Sequence, residues 1–318
     1  MPPPALVIPA AVLDWVRTAS ADGEVRDIRP TFGGFSNLTF FATLRRPDDS
    51  PGDGRNDGPD VTVVVKAASA SDKRADVARE ALILPLLADS DLPVPTIRAH
   101  TDLEDWTVSL IDVVEGESGL SLVQTREPVD LRAHGEILGR LLRMVHAAAP
   151  TPVSDATLDL VARADEVAAA VVGAQLPTDV VEELIEALAH PAVRRGVALV
   201  HGDFGFHNTL WRSTPDGRVR LTGLLDWEWA GWGNPLVDLA WLWWTLKFRL
   251  APAVTLEAAI DGYRSEAVRA IGWEPDAVRA LVRAQMAQIV VRTPPGSPPR
   301  TEWLRRIENV TSLAVPAL

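Results

Sequence analysis

From Val197 to Leu225 the chain alternates short apolar runs with short polar ones, a pattern that few folds accommodate. Val197–Val200 reads as a strand, His201–Asn208 as a polar loop and Thr209–Trp211 as a second strand. A Pro215-Asp216-Gly217 turn then leads into a third strand, Val219–Leu225. Pairing of the second and third strands brings Asp226 beside the loop, so that Asp203, Asn208 and Asp226 share one end of an apolar hairpin. Asp, Asn and Gly are also ordinary turn formers. Carboxylate and amide oxygens suit a hard cation such as Mg2+, which makes Asn208 and Asp226 candidate metal ligands. Asp203, five residues before Asn208, is then a candidate acceptor for the proton of an attacking hydroxyl.

Around this insert, strands and helices are segregated. Val25–Phe32 and Leu38–Arg45 are strand-like runs joined by the turn cluster Gly33–Asn37. Pro47–Pro59, rich in Pro, Asp and Gly, reads as an exposed hairpin loop, and Val61–Val65 as a buried strand ending at Lys66. A helix is expected over Asp72–Leu87, with Pro85 in its last turn, and a further strand over Thr107–Val114. After about residue 118 a period of 3.6 takes over in Arg126–Ala149, Ser154–Val172 and Thr178–His190. It resumes in Asn234–Phe248, Thr255–Ala270, Glu274–Val291 and Thr301–Leu313. The expectation is an α+β chain. A small antiparallel β-sheet lobe with one helix, residues 1–117, would precede a larger, mostly helical lobe, residues 118–318.

Lys66 is one of only three lysines beside 28 arginines, so its place at a strand end stands out. Such a lysine often snorkels to water. Fourteen residues on, Glu80 falls on the inward side of the Asp72–Leu87 helix, within reach of it. A Lys–Glu pair would hold the ammonium in one place for a phosphate. The Gly33–Asn37 turn offers close backbone approach and N–H groups, a candidate phosphate cradle without the full G-x-G-x-x-G spacing.

Composition narrows the field. No cysteine is present, which excludes disulfides, thiolate zinc, iron–sulfur clusters and a cysteine nucleophile. A net charge of −12 argues against nucleic acid as the main partner. Met1–Ala11 lacks a basic n-region, and Leu236–Leu250 is too short and too charged to span a bilayer. A cytoplasmic protein with no membrane or nucleic-acid partner is expected; its oligomeric state is left open.

The Gly turn, strand lysine, helix glutamate, Asp-x4-Asn loop and strand-end Asp fall in the order used by protein kinases. Residues 199–211, LVHGDFGFHNTLW, and 224–242, LLDWEWAGWGNPLVDLAWL, resemble the aminoglycoside phosphotransferase (phosphotransferase enzyme) family. These are small-molecule kinases of the protein-kinase-like bilobal fold, and the resemblance runs from about Val25 to Thr311. It implies transfer of the γ-phosphate of ATP, with GTP left open, to a small-molecule hydroxyl, with Mg2+ as the metal. Asp203 matches the catalytic base, and Asn208 and Asp226 the Mg2+ ligands. Lys66 matches the lysine on the α- and β-phosphates, and Glu80 its partner. Ser36 and Asn37 fall in the loop over the phosphates, and backbone groups of Asp112 to Val114 match the hinge that reads adenine. Asp238 and His201 match braces of the catalytic loop, while His207 has no counterpart in the pattern.

The acceptor is less legible. Residues 231–318 hold eight Asp/Glu against ten Lys/Arg, so the acidity lies elsewhere in the chain, which weakens a polycationic antibiotic as acceptor. Seven of the eleven tryptophans lie between Trp211 and Trp244. Most read as core, with Trp229 and Trp232 the candidates for lining a pocket for an apolar, aromatic or choline-like acceptor. Two other readings stand beside the kinase: a metal-dependent phosphoesterase built on His201, Asp203, His207, Asn208 and Asp226, and a non-catalytic pseudokinase that binds nucleotide.

Overall fold

A computed structural model describes residues 7–19, 24–31, 37–45, 60–125, 128–148, 158–196, 198–214, 219–248, 253–263 and 273–315. The chain divides into two compact units, Met1–Ala88 with Val94–Val114, and Asp89–Pro93 with Glu115–Leu318. The expected Pro47–Pro59 loop, the Pro215–Gly217 turn and most of the Gly33–Asn37 turn lie outside the described residues.

The first unit is built on an antiparallel sheet. Its strands are β1 (Glu24–Pro30), β2 (Leu38–Arg45), β3 (Asp60–Ala68), β4 (Ile97–Asp102) and β5 (Thr107–Asp112), in the order β1-β2-β3-β5-β4. Alternation along the strands sorts the side chains between the two faces. Phe40, Ala42 and Leu44 of β2, Val63, Val65 and Ala67 of β3, and Val108 and Leu110 of β5 form one apolar cluster. Val12 and Val16 complete that cluster. They lie four residues apart on α1 (Ala10–Ala19), a second helix of this unit where only one was expected. Its signal is short, one apolar face over three turns, and the Pro-rich segment before it disguises it. Lys66 sits between Val65 and Ala67 and so belongs to the opposite face. Helix α2 (Ser71–Leu86) packs on β3 and β5 and runs through Pro85 without ending there.

The second unit holds two further small sheets. Strand β6 (Glu117–Ser118) pairs with β8 (Thr209–Ser213), and β8 with β9 (Val219–Leu224). Strand β7 (Ala198–Val200) pairs with β10 (Gly231–Gly233). The described helices are α3 (Gly119–Thr125), α4 (Pro128–Ala148), α5 (Leu160–Gly173), α6 (Thr178–Ala189) and α7 (Leu236–Phe248), followed by α8 (Ala253–Tyr263), α9 (Pro275–Arg292) and α10 (Pro298–Val310). Helices α4 and α8 meet backbone to backbone: a Cβ on Gly139 would lie 2.0 Å from the Ala259 carbonyl oxygen. Helix α9 packs against α6, α7 and α10 and is buried along much of its length. No described helix is long and apolar enough to cross a membrane.

Candidate active site

In the first unit, the register of β3 places Lys66 between Thr39 of β2 and Ser109 of β5. Its Nζ lies 2.8 Å from Oε2 of Glu80, whose side chain is only 2 % exposed. A carboxylate buried to that degree needs a cation, and the pair in turn fixes the ammonium in space. One turn earlier on α2, the fully buried Asp76 accepts from Arg79 at 2.9 Å, a second ion pair in this helix that the sequence reading missed. Asn37 is described just before β2, whereas Ser36 lies outside the described residues. At the far end of β5, the Asp112 N–H donates to the Thr96 carbonyl at 2.8 Å and its carboxylate pairs with Arg98. Val113 and Val114 then leave the strand.

In the second unit, the β8–β9 hairpin does what its apolar pattern implied. Thr209 pairs with Leu224, and the Leu225 N–H donates to the Asn208 carbonyl at 2.8 Å. The loop residues before β8 and Asp226 after β9 therefore sit at the same end of the hairpin. Asp226 has φ 66° and ψ 65°, alone among described non-glycine residues in having positive φ. A strained conformation of this kind persists only where the surroundings over-determine it, and such positions cluster at functional sites.

The Asp203 carboxylate is held by three donors. Oδ1 accepts from Nε2–H of His207 at 3.2 Å and from Nε1–H of Trp241 at 2.6 Å; Oδ2 accepts from Nδ2 of Asn208 at 3.0 Å. Nδ2 of Asn208 also donates to the Asp203 backbone carbonyl at 2.9 Å. With its amide nitrogen engaged on that side, Asn208 presents Oδ1 elsewhere, as a metal ligand would. Burial is the largest single influence on Asp203 and pushes its carboxyl up. The charge and hydrogen bond of His207, the charge of His201 and the Trp241 N–H together outweigh it and hold the group below the ordinary carboxylate value.

Beneath the loop lies a buried brace. The fully buried Asp238, on α7, accepts from the backbone N–H groups of His201 and Gly202, each at 2.8 Å. It also accepts from Nε2 of His146 at 3.1 Å, and Nδ1 of His146 accepts from the Tyr263 hydroxyl at 2.7 Å. Burial and then the Asp238 charge raise the Tyr263 phenol above its ordinary range. His201 is engaged through both ring nitrogens: Nδ1 accepts from the Asp203 N–H at 3.2 Å and Nε2 donates to the Leu225 carbonyl at 2.9 Å. It ties the Asp203 loop to the Asp226 segment and has no nitrogen left for a metal, which removes it from the hydrolase ligand set. No three His, Asp or Glu side chains among the described residues form a metal-holding group.

Gly202 is dictated by close approach. It has φ 82°, and a Cβ there would lie 2.3 Å from the Trp229 carbonyl oxygen. From the far side, Gln285 of α9 donates to the Gly202 carbonyl.

The two candidate pocket tryptophans part company. Trp232 is 5 % exposed and pairs with Leu199 in the β7–β10 ladder, so little of its ring faces open space. Trp229 keeps a partly exposed ring, over which the Arg292 guanidinium stands 5.2 Å from the centroid. Trp241 and Gln285 were not anticipated as site residues. The signal for Trp241 was its spacing, since it stands one helical turn after Asp238 and so faces the same loop.

Residues 27–281 match the sequence profile described as the Phosphotransferase enzyme family. A viomycin phosphotransferase of Streptomyces vinaceus is 51 % identical over 43 residues, a match that spans 14 % of this chain and 15 % of that protein. Among solved structures, the ADP-bound aminoglycoside phosphotransferase APH(2'')-Ib superposes with a TM-score of 0.61 at 15 % identity, covering 95 % of this chain and 97 % of that one. A type VIII aminoglycoside-3'-phosphotransferase gives 0.60 at 19 % identity, covering 87 % and 97 %. A putative fructosamine-3-kinase from Haemophilus somnus gives 0.56 at 12 % identity, covering 93 % and 96 %. With the profile running over most of its length, the chain belongs to the phosphotransferase enzyme family and has the α+β protein-kinase-like fold.

Proposed function

We propose that the protein is an ATP-dependent kinase that moves the γ-phosphate to a hydroxyl of a small molecule. The observation that carries this reading is the state of Asp203. An ionised carboxylate offers about four lone-pair positions. His207, Trp241 and Asn208 occupy three, two on Oδ1 and one on Oδ2. The remaining position, on Oδ2, is where an acceptor hydroxyl would donate its proton. A carboxylate held below its ordinary range is a weak base, suited to phosphoryl transfer, where the proton leaves late and the protein supplies mainly position and charge.

Asn208 Oδ1 and the Asp226 carboxylate fit Mg2+, which is commonly held by one or two protein oxygens together with substrate phosphates. When bound, Mg2+ would offset the negative charge of the triphosphate. Lys66, fixed by Glu80, is the protein's cation for the α- and β-phosphates, and Ser36 and Asn37 lie in the segment that would cover them. For the base, the Asp112 carbonyl and the Val114 N–H are the hinge groups, since the Asp112 N–H is taken by Thr96. ATP is the proposed nucleotide, in keeping with the ADP-bound APH(2'')-Ib and the ATP complex of APH(2'')-IIa among structures of similar fold, and GTP is open to the same test. The acceptor class is a small-molecule alcohol. If it is an antibiotic, transfer would confer resistance.

The test is ADP release with Mg2+ and ATP or GTP across antibiotics, amino alcohols, sugars and nucleosides, with Asp203→Ala as the blank. Expected are thermal stabilisation by Mg2+ and nucleotide in both proteins and acceptor-dependent release in the wild type alone. Release by Asp203→Ala at near the wild-type rate would remove the base assignment, and failure to bind nucleotide would remove the kinase reading.

A further inference from the structure

We infer that His207 is a positioning residue of the phosphoryl transfer and that position 205 is a glycine so that the imidazole can be seated; the inference rests on Asp203 being the proton acceptor. In that reading the acceptor oxygen attacks the γ-phosphorus, the bond to the β,γ-bridging oxygen breaks to release ADP, and the acceptor proton passes to Oδ2 of Asp203. His207 has no counterpart in the kinase pattern, yet its Nε2–H donates to Oδ1 of Asp203 at 3.2 Å. The same oxygen accepts from Trp241 of α7 at 2.6 Å, and Oδ2 accepts from Asn208 at 3.0 Å. A carboxylate turns easily about its last side-chain bond, so it keeps one plane only where donors hold it. Two donors on Oδ1, one from the loop and one from α7, leave Oδ2 to meet the incoming hydroxyl in a single orientation.

Gly205 carries the second observation. Its φ of 177° and ψ of 173° are extended values that any residue adopts, so the backbone does not ask for glycine there. The imidazole does. A Cβ on Gly205 would lie 2.7 Å from Cε1 and 2.8 Å from Nδ1 of His207, nearer than non-bonded atoms approach. The next neighbour, Oγ1 of Thr245, stands at 3.5 Å, an ordinary contact. The ring of His207 therefore fills the volume that a side chain at position 205 would claim. Around it the turn is pinned. The Asn208 N–H donates to the Gly205 carbonyl at 3.1 Å, and the Phe206 carbonyl accepts from Oγ1 of Thr209 at 2.9 Å. Phe206, 3 % exposed, stacks on the buried Trp211. What remains adjustable is the ring itself, and Asp203 on one side and the bare Gly205 on the other set where it stands.

The two ring nitrogens give a test. A glutamine amide reaches the place of Nε2, whereas an asparagine amide reaches only that of Nδ1. The probe is ATP with Mg2+ and water as the acceptor, followed as phosphate release with the protein in excess and Asp203→Ala as the blank. His207→Asn should lower the Asp203-dependent rate about tenfold, with half-saturation by ATP unchanged, and His207→Gln should restore most of it. Gly205→Ala sets its new Cβ against the end of a flexible side chain, so the melting temperature should stay near that of the wild type while the rate falls as in His207→Asn. Added to His207→Asn, it should lower the rate no further, because no Nε2 is left to displace. If His207→Asn fails to fold, Gly205→Ala and His207→Gln carry the comparison. A wild-type rate in either His207→Asn or Gly205→Ala, equal losses in the Asn and Gln variants, or additive losses in the double variant would overturn the inference and leave Asp203 as the base. Phosphate release by the wild type no faster than by Asp203→Ala would remove the base assignment and the inference with it. Loss of nucleotide binding, read by thermal shift, would mark failure of the kinase reading itself.

Discussion

The indole Nε1–H of Trp241 donates to Oδ1 of Asp203 at 2.6 Å and so fixes the carboxylate plane from the α7 side. Trp241→Phe keeps a ring to stack on Trp244 and Trp303 and removes only the donor. A hydrogen bond to a charged group contributes about 2 kcal/mol, so kcat should fall by an order of magnitude or more. The KM for ATP should stay unchanged, because in the proposed reading this bond acts on the proton acceptor. Steady-state kinetics with an acceptor from the screen separates the two constants. A raised KM for ATP with unchanged kcat would contradict the role.

Gly202→Ala should destabilise the His201–Asn208 loop more than its size suggests. The new Cβ would stand 2.3 Å from the Trp229 carbonyl oxygen at a residue with φ 82°. Left-handed strain and the clash together should cost about 3 kcal/mol, read by denaturant titration. Gly173→Ala is the control: nothing lies within 4 Å of its Cβ, and its φ is not positive. That variant should be neutral or slightly more stable, by about 0.5 kcal/mol.

The contrast between these positions shows what the sequence could disclose. Asp203, Asn208 and Asp226 were legible because hairpin pairing is local and its hydrophobic pattern fixes which ends meet. Lys66 and Glu80 were legible for the same reason, being a strand and the helix that follows it. The partners arriving from distant elements were not. Gln285 reaches Gly202 across 83 residues, and His146 reaches Asp238 across 92. No periodicity within one helix specifies which other helix faces it. The burial of Trp232 was not legible, because an aromatic near a loop reads alike whether it fills a core or lines a pocket, and its strand pairing with Leu199 is set by a distant segment.

Glu302 makes a pH-sensitive tether for Arg306, which stands over Phe248 and Trp303. Hydrogen bonds from Arg305 and then Arg306 pull its carboxyl from 4.5 down to about 2. Between those values the unfolded chain binds a proton that the folded one does not, so its contribution is complete above 4.5 and is lost as pH falls toward 2. Side-chain carboxyl NMR should place its titration near 2 at low salt. The midpoint should move upward at high salt, because the pair is accessible to screening ions. Glu302→Gln should abolish that transition and loosen Arg306 from Phe248 and Trp303. A titration near 4.5 at low salt would show that the arginines do not hold it.

Lys66 and Glu80 serve both stability and, in the proposed reading, nucleotide binding, and a double-mutant cycle separates the two. Lys66→Met leaves a carboxylate that is 2 % exposed without the cation 2.8 Å away. Removing one member of a buried pair costs about 3–5 kcal/mol, so the single variant should be strongly destabilised. In Lys66→Met with Glu80→Leu, both charges are gone and apolar volume takes their place. Replacing a buried pair by hydrophobic residues is often neutral, so most of the lost stability should return. Nucleotide binding should not return with it, because a methyl thioether offers a phosphate nothing. Denaturant titration gives the first quantity and a titration with Mg2+ and ATP the second. If the double variant regained both, Lys66 would be a structural lysine and the phosphate contact would have to come from another residue.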